Sequence, residues 1–114
     1  SIQVDTAPAT LQSMAKRLTD RRVPHVVGKT WTTDAFYRET PQRIQRRKAQ
    51  GCITVDMEAS ALLAVAQHRE VPLGIILCAA DDVSSEKWDK RNWAECHDVR
   101  DAVLQLAIDC CLCL

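Results

Sequence analysis

Two carboxylates flank a thioether at Asp56-Met57-Glu58, between a short β-branched run (Cys52, Ile53, Val55) and an apolar helical pattern at Ala59, Leu62, Leu63 and Ala66. A strand that feeds straight into a helix ordinarily turns on Gly, Asn or Ser, so the acids need a reason. Two readings fit them. Acids near the first turn of a helix are stabilised by its dipole, and a pair of carboxylates also accepts well from vicinal hydroxyls. A second acidic pair, Asp81-Asp82, ends the apolar run Val71–Ala80. A carboxyl group there, beside a like charge, can have a raised pKa and act as a general acid; an aspartate simply capping the following turn is the alternative, and for Asp82 the better one. Most of the aromatic supply, Trp31, Phe36 and Tyr37, lies in one connection, where it needs a partner or a ligand to cover it. Aromatic faces, a thioether and carboxylates together suit a flat heterocycle attached to a polyhydroxyl group.

The elements that must position these residues follow in chain order. Leu11, Met14, Ala15 and Leu18 share a helical face, with Thr6 or Thr10 as cap and Asp20-Arg21-Arg22 closing the segment. Val23–Val27 reads as a strand with Pro24 near its beginning, followed by a polar connection from Thr30 to Thr40. Thr40-Pro41 starts a helix and Gly51 ends it. Its basic residues, Arg43, Arg46, Arg47 and Lys48, read as a solvated face rather than a nucleic-acid footprint, since no aromatics interleave them. Val71–Ala80 reads as a central strand covered on both faces. A last helix carries Val99, Val103, Leu106, Cys110 and Cys113 at four-three spacing. Ala102, Leu104 and Ile108 form its second apolar face, which predicts burial on more than one side.

Strands alternating with helices imply a mostly parallel sheet joined by right-handed crossovers, with ligands beyond the carboxyl ends of the strands. All the acidic and aromatic groups above fall at such ends. The expected fold class is α/β, a three-layer sandwich with about three strands in one domain over residues 1–114.

Composition narrows the function classes. With 114 residues, 46% hydrophobic content and zero formal net charge, the chain has the make-up of an ordinary globular protein with an aliphatic core. No apolar run reaches the ~18 residues of a membrane span and the first residues are no signal peptide, so neither membrane nor nucleic acid is an expected partner and the cytoplasm is the expected location. Cys52, Cys78, Cys96, Cys110, Cys111 and Cys113 lack disulfide-framework spacing and read as small buried hydrophobes in a reducing compartment. The C-terminal Cys110-Cys111-Leu112-Cys113 has no companion pair at zinc spacing, and it matches a prenylation box only loosely, without an upstream polybasic run. No metal or cofactor is expected. His25, His68 and His97 are scattered, and no Ser-His-Asp or Cys-His arrangement is visible.

V-D-M-E-A-S at Val55–Ser60, D-A-F-Y at Asp34–Tyr37 and the run ending in Ala80-Asp81 resemble, in order and spacing, the C-terminal half of the purine nucleoside and uridine phosphorylase family, which includes the adenosylhomocysteine-type nucleosidases. The resemblance spans about Thr6 to Trp93, and the M-E-A motif is its most specific part. It implies that Glu58 holds the ribose hydroxyls, Met57 packs on the sugar, Asp56 lines the pocket and Phe36 stacks on the base. Asp81 is implied as the acid that protonates the departing base. The implied ligand is a nucleoside or nucleobase, with phosphate as co-substrate if a complete site is assembled.

The departures shape the expected function. Ala80 stands where purine-handling relatives often have Ser, and Arg91 is the nearest candidate for a partner arginine, with its register open. The family's phosphate site lies in the half that precedes these residues, and Gly28, Gly51 and Gly74 are too far apart to cradle a phosphate. The expectation is a nucleoside phosphorylase-like protein with the ribose- and base-binding side, not competent in phosphorolysis alone. The alternatives are phosphate-independent N-glycosidic hydrolysis and a non-catalytic oligomerising module. A small sheet and an apolar last helix predict a homodimer or larger homo-oligomer.

Overall fold

A computed structural model of the chain describes residues 3–78 and 97–114, apart from the side chains of Phe36 and His97. In order, the elements are α1 (Pro8–Asp20), β1 (Lys29–Thr32), a 3₁₀ turn (Phe36–Arg38), α2 (Pro41–Ala49), β2 (Cys52–Asp56), α3 (Ala59–Arg69) and α4 (His97–Cys111). The class is α/β. Among the described residues the sheet consists of β1 and β2, paired in parallel with α2 as the crossover.

Two local signals act as their chemistry dictates. Thr40 caps α2, its Oγ1 accepting from Arg43 N at 3.3 Å, and Pro41 fills a first-turn position where its missing N–H leaves nothing unsatisfied. Gly51 follows with φ of 85°, the left-handed conformation that turns the chain into β2. Asp20-Arg21-Arg22 closes α1 as expected, with Asp20 its last residue and Arg22 in the left-handed region, but at the start of α1 the signal fails. Neither Thr6 nor Thr10 caps α1; Ala7 stands there without a side-chain bond, ahead of Pro8. Glu70 ends α3 in the left-handed region at φ 55°, without a glycine, while Val71 N bonds Ala66 O at 3.0 Å.

The first predicted strand is displaced. Residues 23–28 carry no strand, Val26 is 81% exposed, and the strand is Lys29–Thr32, three of whose four residues fall in the Thr30–Thr40 stretch expected to be a polar connection. Pro24 offers no N–H to a ladder, whereas Thr30, Trp31 and Thr32 are β-formers with alternating faces. The register pairs Thr30 with Thr54, Trp31 with Val55 and Thr32 with Asp56, and is irregular after Lys29, which pairs with Cys52. Ile53 is thereby skipped, and its side chain lies against Gly28, where a Cβ would collide with it. Residues 71–78 pair with neither β1 nor β2, and the last two residues of that predicted strand lie outside the described residues.

α3 packs on β1 and α2 on β2, while α1 packs on α4. The α1–α4 contact contains a core of Met14, Leu18 and Cys110, bordered by Val23, Ile76 and Leu106. On α1 the buried row is Thr10, Met14 and Leu18, so Leu11 falls on the exposed side of the predicted face. On α4 the expected burial on more than one side is not found among the described residues. Val103, Leu106 and Cys110 turn inward, but Val99, Leu104, Ile108 and Leu112 are exposed, Leu112 at 79%. α1 covers one face of α4, and no described element covers the second. The cysteines divide similarly: Cys52 and Cys110 are buried as expected, whereas Cys78, Cys111 and Cys113 are exposed.

Burial separates the consequences of truncation along α1. Met14→Ala should lower stability by about 2–4 kcal/mol and Leu11→Ala by less than about 1 kcal/mol in urea denaturation, because only the first leaves a cavity in the core.

Candidate functional site

The junction between β2 and α3 is built around one carboxylate. Asp56 Oδ1 accepts from Thr32 Oγ1 at 2.8 Å, from Glu58 N at 3.1 Å and from Ala59 N at 2.7 Å. Its Oδ2 accepts from Thr30 Oγ1 at 2.7 Å, a hydroxyl that also lies 3.1 Å from the Thr54 carbonyl. Strand periodicity explains the donors: Thr30 and Thr32, two residues apart on β1, share the sheet face that Asp56 occupies on the neighbouring strand. Thr32 Oγ1 in turn accepts from Ser60 N at 3.0 Å. The amides of Glu58, Ala59 and Ser60, which an α-helix leaves without internal partners, are thus satisfied by Asp56 and by a hydroxyl from the adjacent strand. Thr33 N bonds Asp56 O at 2.8 Å and extends the pairing beyond β1.

This arrangement separates the two acids. Asp56 is half-buried and its carboxylate is engaged by the protein itself. Glu58 is exposed at the start of α3; its Oε2 accepts from Met57 N at 3.0 Å, and its Oε1 has no hydrogen-bond partner among the described residues. Met57 is half exposed at 51%. A carboxylate oxygen open to solvent above a helix N-terminus, beside an exposed thioether, can accept from a hydroxylated ligand.

The parallel pairing brings the carboxyl ends of β1 and β2 together. Phe36 belongs to the 3₁₀ turn that follows β1, and Asp56, Met57 and Glu58 follow β2, so those predicted residues arise from one end of the sheet. Asp81, together with Ala80 and Arg91, lies outside the described residues. Trp31, expected in a connection, is buried in the middle of β1 at 8% exposure and donates its ring N–H to Glu39 Oε2 at 3.1 Å. It borders a polar recess of about 40 Å³ with Thr32, Thr33, Glu39, Arg43 and Arg47, which has room for water but not for a nucleoside. Its arginines are held by the chain: Arg43 Nη1 donates to Arg38 O at 3.3 Å and Arg47 Nη1 to Gln50 Oε1 at 3.0 Å. The roles of Thr30 and Thr32 were not expected from the sequence. Their spacing of two is visible there, but their partner lies about one crossover away along the chain.

No helix among the described residues is long and apolar enough to cross a membrane, and no group of three or more His, Cys, Asp or Glu among them could hold a metal ion.

Compared with known families, residues 3–111 match the phosphorylase superfamily. A curated relative, a purine nucleoside phosphorylase of the DeoD type from Brevibacillus brevis, is 25% identical over 96% of this chain. The chain spans 48% of that relative's length.

The two acids should respond differently to removal. Asp56→Ala, which removes the shared acceptor of two hydroxyls and two amides, should cost about 2–4 kcal/mol in urea denaturation, and Thr32→Val about 1–2 kcal/mol. The double variant should lose less than the sum, because the two side chains act through one bond. Glu58→Ala should stay within about 0.5 kcal/mol of the native chain.

Proposed function

The chain belongs to the phosphorylase superfamily, and from that premise we propose that it recognises a nucleoside at the carboxyl end of the β1–β2 pair. The observation that carries this reading is the division of labour at the junction: Asp56 is consumed in holding the start of α3, and Glu58 is exposed with one carboxylate oxygen that no described residue engages. Glu58 accepts from the ribose 2′- and 3′-hydroxyls, Met57 packs on the sugar, and Asp56 fixes both by fixing the backbone between them. Phe36 stacks on the base. The name of the Brevibacillus brevis relative makes a purine the first choice of base.

Cleavage of the glycosidic bond leaves an oxocarbenium-like sugar and an anionic base. In this reading Asp81 supplies the proton that neutralises the base as the bond breaks. The remaining step is addition of a nucleophile to the sugar carbon. Phosphate would serve if it were bound, but the chain's three glycines are too dispersed to form a cradle of backbone amides. The 114-residue chain is therefore proposed to retain the ribose- and base-binding side of a pentosyltransferase site without being a competent phosphorylase by itself.

One structural proposal accompanies this one. The open face of α4 is covered by a second copy in a homodimer or larger assembly, since Leu104, Ile108 and Leu112 form an exposed apolar stripe at four-residue spacing.

A panel of purine and pyrimidine nucleosides, assayed for base release with and without phosphate, tests the functional reading. No phosphate-dependent release is expected from the chain alone, while millimolar purine nucleoside should raise its melting temperature. Phosphate-dependent release would overturn the proposed incompetence, release indifferent to phosphate would replace it with hydrolysis, and an unchanged melting temperature would overturn nucleoside recognition. Light scattering at micromolar concentration should give more than one chain's mass; a monomer would contradict the assembly.

A further inference from the structure

The α1–α4 contact ends in a cluster that nucleoside recognition leaves unused. Arg17 and Arg21 of α1 both lie against the Asp109 carboxylate, in charge contact rather than through directed hydrogen bonds. Arg17 Nε also donates to Cys113 Sγ at 3.1 Å, and that sulfur lies 3.5 Å from the Asp109 carbonyl. Cys113 is exposed, whereas Cys110 is 2% exposed, packed in the core with Met14 and Leu18. Cys113 N bonds Cys110 O at 3.0 Å. A bond of that kind closes a turn whose end Cα atoms are less than about 7 Å apart, overlapping the ~4.4–6.8 Å that a disulfide spans.

We propose that Cys113 is a site of thiol–disulfide exchange with low-molecular-weight disulfides of the glutathione type, and that Cys110 resolves the adduct into an intrachain Cys110–Cys113 disulfide. The guanidinium of Arg17, donating to Cys113 Sγ, fixes that sulfur at the exposed rim of the contact, where a reagent from solvent can reach it. Burial pushes the Cys110 thiol up, with the Asp109 charge adding to it, so Cys110 stays protonated and inaccessible to an external reagent. The order of events follows from this asymmetry. Cys113 thiolate attacks one sulfur of the disulfide, the S–S bond breaks, and one glutathione leaves as thiolate. The Cys110 sulfur then attacks the Cys113 sulfur, the mixed S–S bond breaks, and the proton of Cys110 passes to the second glutathione as it leaves as a thiol. Two protein thiols are oxidised and one glutathione disulfide is reduced to two thiols. The product withdraws both sulfurs from their present partners, Cys113 from Arg17 and Cys110 from the core, so the packing of α4 on α1 depends on redox state.

The test uses the full chain, folded and treated with oxidised glutathione, followed by intact mass and peptide mapping without reduction. The expected product is lighter than the starting chain by two hydrogens, with Cys110 linked to Cys113. Cys111→Ser should leave this unchanged, and Cys113→Ser should abolish it. Cys110→Ser and Cys110→Ala, each checked for helicity, should accumulate the glutathione adduct on Cys113. Arg17→Gln should slow formation of that adduct by roughly three- to tenfold. The absence of any adduct or cross-link, a cross-link that uses Cys111, or modification at Cys78 or Cys111 in place of Cys113 would overturn the proposal. An unchanged adduct rate in Arg17→Gln would overturn the role given to Arg17.

Discussion

The Asp56 carboxylate is the constraint on which the sheet end depends. It gathers two hydroxyls from β1 and two amides from the start of α3 while sitting on β2, so three elements meet through one side chain. A two-stranded parallel ladder is weak by itself, and the short helix that follows has little intrinsic stability. Hydrogen bonds to a charged acceptor are stronger than those between neutral groups, and here they replace the cap that Glu58 does not provide. With the helix start fixed in this way, Met57 and Glu58 keep one position above the sheet without a partner of their own from β1.

Much of this was legible in the residues where the physics is local. Thr40, Pro41 and Gly51 mark the ends of α2 because a cap, a ring-fixed φ and a left-handed turn each act within a few residues. The change from a β-branched run to a helical pattern across Asp56–Glu58 places β2 and α3 for the same reason. The displaced first strand shows the limit. Val23–Val27 is the more β-branched run, but Pro24 weakens it, and what selects Lys29–Thr32 is the fit of its hydroxyls to a carboxylate on another strand. Burial of Thr10 in place of Leu11, and the exposed second face of α4, depend on which elements are present to pack and are not encoded by periodicity.

The molecule thus carries two separate chemical regions on different supports. The sheet end, supported by Asp56, presents carboxylate and thioether groups suited to a hydroxylated ligand. The α1–α4 contact, supported by Met14, Leu18 and Cys110, presents a guanidinium-bound thiol at its rim. The nucleoside reading concerns the first region and leaves the second unused.

The central claim is that Asp56 holds the junction so that Glu58 can grip a ribose. It is tested most directly by amide-resolved NMR titration with a purine ribonucleoside and with its 2′,3′-dideoxy counterpart. The ribonucleoside should shift the amides of Met57, Glu58, Ala59 and Ser60, while the dideoxy compound, lacking the hydroxyls, should leave them in place, as should the ribonucleoside added to Glu58→Gln. Equal shifts from both compounds, or none at millimolar ribonucleoside, would contradict it.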